Sequence, residues 1–139
     1  MNAPISAAER PRSKISTAMA VGGSLLITLI ASALANAEAA SSLILYSAIT
    51  AAYAGLGVGL GLARGRMGLA LAALVVGTAA AAAFGFQGVL VAIAVSRNPY
   101  SHNLWPIELV SMTAQFTFFS LASFIGVLVG NLFRRTQTR

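Results

Sequence analysis

The chain has 139 residues, 58% of them hydrophobic and 9% charged, with a mean hydropathy of +0.82, whereas soluble domains carry about a quarter charged residues. A water-soluble globule of this composition would lack the polar surface to cover itself, and the absence of cysteine removes disulfides, thiolate catalysis and cysteine-held zinc or iron–sulfur chemistry. The net charge of +6 would suggest nucleic acid in a soluble protein, but the basic residues stand beside apolar runs, so no nucleic-acid partner is expected.

Residues 1–14 form a basic tail with Arg10, Arg12 and Lys14. The first apolar run, 15–35, ends at Ala35-Asn36-Ala37, which resembles a small-residue cleavage site after a signal segment. It is read here as a retained helix.

The second run, 43–63, holds Gly55-Leu56-Gly57-Val58-Gly59-Leu60-Gly61. Gly55/Gly59 and Gly57/Gly61 are two overlapping small-xxx-small pairs, the spacing that lets helix backbones approach closely in lipid. The run resembles the glycine repeat in the inner helix of rotary ATP synthase c-subunits. That family also carries a mid-membrane carboxylate in its partner helix, and no span here has one, so only the close approach is carried over.

Arg64 and Arg66 separate this run from the third, 67–95, whose Thr78-Ala79-Ala80-Ala81-Ala82-Ala83 stretch makes a slim middle that invites another helix. The fourth run is 105–133, and residues 134–139 form a second basic tail with Arg134, Arg135 and Arg139. Phe84, Phe86, Phe116, Phe118, Phe119 and Phe124 give bulk to the second pair of runs. They suit lipid or core packing, and a pigment or quinone is the other kind of occupant such faces admit; bound lipid is expected and no cofactor is predicted.

A hydrocarbon core about 30 Å thick needs about 20 apolar residues in a helix, and all four runs reach that length. Strands would require the alternation of a closed barrel, which is missing. The expected fold is therefore an all-α membrane protein, with a single domain over 15–133 whose four transmembrane helices form two antiparallel hairpins. Short loops rich in Lys and Arg stay in the cytoplasm. Eight of the nine basic residues then lie inside, which puts both termini on the cytoplasmic side of a bacterial-type inner membrane.

Residues equidistant from a hairpin turn share a depth. About residue 39, Gly23 faces Gly55 and Thr28 faces Thr50; about residue 101, Gln87 matches Gln115. A hydrogen bond between the two glutamines is expected, and Gly23 joins Gly55, Gly57, Gly59 and Gly61 as a helix-packing residue.

The turn from Arg97 to Glu108 holds the only His and the only Trp. Tyr100 and Trp105 suit the headgroup layer, while Pro106 and Glu108 are accommodated in a first helical turn. Arg97, Tyr100, His102, Trp105 and Glu108 are the candidates for contact with a partner or ligand there.

One His and one nearby acid make neither a metal set nor a catalytic triad, so no catalytic residue and no metal site is expected. Small multidrug-resistance transporters share the four-helix size but rely on a glutamate inside the first helix, which is missing here. The expected function is a non-catalytic accessory subunit of a larger membrane complex, in contact with lipid and other subunits. A small oligomeric transporter or channel with a polar route past Gln87, Gln115 and Glu108 is the alternative.

Overall fold

The computed structural model describes residues 9–37, 41–99 and 105–137, with side chains for 14–37, 41–99 and 106–137. Among them the chain is helical: α1 Glu9–Asn36, α2 Ser42–Arg64, α3 Gly68–Arg97, α4 Trp105–Ser120 and α5 Ala122–Gln137, with one 3-10 turn at Gly65–Met67. Three stretches are long and apolar enough to cross a membrane: Lys14–Asn36, Ser42–Arg97 and Pro106–Gln137. Helices satisfy their own backbone polar groups, which is what lipid demands of a spanning segment.

The elements start and stop for local reasons. Helix α1 begins six residues before the expected span, inside the basic tail, with Pro11 in its first turn, where no intrahelical donor is lost. Helix α2 ends at Gly65, whose φ of 60° suits a residue without a Cβ and whose N–H returns to the Gly61 carbonyl. The long middle stretch reverses there: a Cβ on Gly68 would lie 3.2 Å from the Leu60 carbonyl oxygen, whereas eight residues of continuous helix span about 12 Å. Helix α3 closes on Asn98, whose N–H bonds Ala94 O at 3.0 Å, just before Pro99.

The fourth run is not the continuous helix expected over 105–133. It breaks at Leu121 and continues as α5 to Gln137, into the segment expected to be a tail. Ser120 Oγ donates to Thr117 O at 2.8 Å, and Leu121 N–H is shared between Thr117 O at 3.3 Å and Phe118 O at 3.2 Å. A hydroxyl competing for a helix carbonyl loosens the ladder at that point. The break lets α4 pack on α3 while α5 packs on α2, the most extensive helix pair in the molecule.

Directions follow from the contacts. Met19 reaches Gly59, Leu56 reaches Gly23 and Thr28 meets Tyr53, so α1 and α2 are antiparallel. Ser123 lies on Gly57, Val127 on Gly61 and Arg134 on Gly65, so α2 and α5 are parallel. The core gathers Tyr53, Leu60, Val75, Ala79, Ala83, Phe116 and Val127. The slim alanine face is thus filled, and Phe119 ties α4 to Tyr46 of α2 with ring centroids 5.3 Å apart.

Candidate functional site

Two of the expected glycine contacts are backbone-to-backbone. A Cβ on Gly57 would stand 2.8 Å from the Ser123 Cα, and one on Gly61 would stand 3.0 Å from the Val127 Cα. The opposing face of α5 supplies a reciprocal pair that sequence reading passed over: a Cβ on Gly126 would meet Val58 N at 2.9 Å, and one on Gly130 would meet Leu62 N at 3.0 Å. The signal was present as Gly126-xxx-Gly130, the same spacing as in α2. Gly23 and Gly59 make room for side chains instead, Leu56 and Met19 respectively. Gly55 corrects the expectation, because nothing lies within 4 Å of its missing Cβ.

The pairing of Gly23 with Gly55 and of Thr28 with Thr50 is replaced. Thr50 Oγ1 bonds Tyr46 O in its own helix at 2.8 Å. Thr28 turns to Tyr53, three residues further along α2 and at nearly the same depth. Depth was legible; rotation about the helix axis was not.

That substitution creates a buried hydroxyl cluster. Ser24 Oγ donates to Val75 O on α3 at 2.8 Å, and Thr28 Oγ1 donates its single proton to Ser24 O at 2.8 Å. Tyr53 must therefore be the donor in its short hydrogen bond to Thr28 Oγ1. Three helices are joined through groups with no exposed surface. The sequence signal was the four-residue repeat Ser16, Ala20, Ser24, Thr28 and Ser32, all of them buried along one face of α1.

A second polar feature lies between α3 and α4. Gln87, Ile107, Glu108, Ser111, Met112 and Gln115 line a groove of about 350 Å³. The glutamines share it, but they do not form the expected hydrogen bond: Gln115 Nε2 donates to Ser111 Oγ at 3.5 Å, and Gln87 Oε1 is buried without a partner. One helical turn between Ser111 and Gln115 brings the intrahelical acceptor closer than the neighbouring helix does.

Of the outer-turn candidates, Glu108 stands in the first turn of α4 and contributes to this groove, while Arg97 is exposed at the end of α3 and does not line it. Tyr100 and His102 lie outside the described residues, as does the side chain of Trp105. No group of three or more His, Cys, Asp or Glu side chains is close enough to hold a metal among the described residues.

Apolar helices long enough to cross a membrane, joined by glycine contacts and a buried hydroxyl cluster, suggest a helical membrane protein. Comparison with family models, with curated proteins and with solved structures finds no match to this chain.

Proposed function

We propose that the chain crosses a bacterial-type inner membrane four times as two antiparallel hairpins, with both ends cytoplasmic, and serves as a non-catalytic accessory subunit of a larger membrane complex. The topology is supported by the reversal at Gly65–Met67 and by the parallel course of α2 and α5, which gathers Arg64, Arg66, Arg134 and Arg135 toward one end. Because the sequence has no cysteine, single cysteines introduced at Ala3, Ser101 and Thr138 report sidedness directly. Labelling of Ala3→Cys and Thr138→Cys by a membrane-impermeant reagent added outside intact cells would overturn the topology.

The observation that carries the subunit reading is an outward face of α3. Ala73, Gly77, Ala81 and Gly85 repeat every four residues, all are exposed, and nothing lies within 4 Å of the missing Cβ of Gly77 or Gly85. Inside this same chain two pairs of that spacing, Gly57/Gly61 and Gly126/Gly130, are where α2 and α5 touch. A neighbouring subunit's helix is the fitting occupant.

Purification in mild detergent tests the reading. Stoichiometric foreign chains are expected with the native sequence and are lost from a Gly77→Leu/Gly85→Leu variant whose own thermal stability is retained.

The groove with its unpartnered Gln87 carbonyl favours the alternative, a small oligomeric transporter or channel with a route past Gln87, Gln115 and Glu108. A homo-oligomer without foreign chains, with water reaching both glutamines, would decide for it.

A further inference from the structure

The end of the bundle that carries Arg64 and Arg134 contains a groove of about 420 Å³ that the subunit reading does not use. Arg66 from the 3-10 turn, with Asn131 and Arg135 from α5, forms its polar rim. Leu69, Leu128 and Leu132, with the buried Val127, make up its apolar lining. The order along both helices is the same: Leu69 is one turn inward of Arg66, and Leu132 and Leu128 are one and two turns inward of Arg135.

Two arginines above a leucine-lined channel match an amphiphile with an anionic head and a hydrocarbon tail. Among the described residues that line this groove none is acidic. The first turn of α3, where the backbone dipole is positive, holds no acidic residue either.

The turn itself makes room for polar groups beside the rim. Gly65, at φ 60°, leaves room for the Arg134 guanidinium and the Asn131 amide: a Cβ there would lie 2.9 Å from Arg134 Nη1 and 3.3 Å from Asn131 Oδ1. Positive-inside sorting asks only that basic residues occupy the loop. It asks for no leucines beneath them and no bare glycine beside them.

We propose that this groove binds one anionic phospholipid, its phosphate held between Arg66 and Arg135 with Asn131 as a further hydrogen-bonding group, and one acyl chain lying along Leu69, Leu128 and Leu132. Guanidinium groups present forked donors that match phosphate oxygens. The proposal needs only that the apolar spans lie in a bilayer, so it stands apart from the subunit reading.

The test uses the full-length chain in neutral detergent with phosphatidylglycerol or phosphatidylcholine of matched acyl chains, binding being read by native mass spectrometry. Phosphatidylglycerol is expected to bind about tenfold tighter than phosphatidylcholine. In Arg66→Gln/Arg135→Gln that preference should fall close to one, with helix content and elution volume unchanged. Should that variant fail to fold, Leu69→Ala/Leu132→Ala keeps the rim and should weaken both lipids while preserving the preference. An unchanged preference in the glutamine variant, unchanged lipid binding in the alanine variant, or displacement of the lipid by glycerol 3-phosphate at equal concentration would overturn the proposal.

Discussion

Gly57 lies so close against Ser123 that a Cβ on Gly57 would stand 2.8 Å from the Ser123 Cα and carbonyl carbon. Backbone cannot yield as a flexible side chain can, so this spot and its reciprocal at Gly126 set the distance between α2 and α5. In lipid, where apolar side chains gain little from leaving the solvent, such contacts supply much of the association.

Gly57→Val should therefore destabilise the folded chain by about 1–3 kcal/mol or more, the cost of forcing volume into a packed interface. Gly55→Ala, two residues away and facing open space, should be neutral or stabilise by up to about 1 kcal/mol through reduced backbone freedom. Thermal unfolding of both variants in the same detergent checks the contrast; equal losses would mean the two faces are not distinguished.

Tyr53→Phe removes the donor to Thr28 without changing shape, and Thr28→Val removes the acceptor. Each should cost about 0.6–1.7 kcal/mol, the range for hydrogen bonds between membrane helices, with Thr28→Val at the upper end because its link to Ser24 O is also lost. The double variant should lose less than the sum, and strict additivity would show that the pair is uncoupled.

Ser120→Ala should tighten the helix at Leu121. With Ser120 Oγ gone, Thr117 O is left to the Leu121 amide alone, and hydrogen exchange at that amide should slow severalfold. An unchanged rate would place the cause of the break in the packing of α5 on α2.

Gln87→Leu replaces a buried carbonyl that has no partner by an apolar side chain of similar volume. Stability should stay level or rise by about 1 kcal/mol. A loss of more than about 2 kcal/mol would reveal a partner such as water or a bound ligand in the groove, and would strengthen the transport reading.

The apolar runs and their flanking arginines located the helices to within a few residues at most ends, because a backbone without water must close its hydrogen bonds inside each segment. The break at Leu121 escaped that reading, since a serine hydroxyl that bonds one turn back looks the same in sequence as one that does not. Depth across a hairpin was also legible: Thr28 and Tyr53 meet where Thr28 and Thr50 were expected. The Arg97 to Glu108 turn offered distinctive residues; of its candidates with described side chains, Arg97 and Glu108, the second joins the groove between α3 and α4.

What the sequence determined alone is where polar backbone can be tolerated, a property of each segment by itself. Which way each helix is rotated belongs to the tertiary structure. Gly55 and Gly57 have equal local chemistry and nearly equal depth, but only Gly57 faces α5. Gln87 and Gln115 share a groove, but Gln115 settles on Ser111 of its own helix and the Gln87 carbonyl is left without a partner. Rotation is decided by the fit of whole faces against one another, and that fit exists only once the helices have come together.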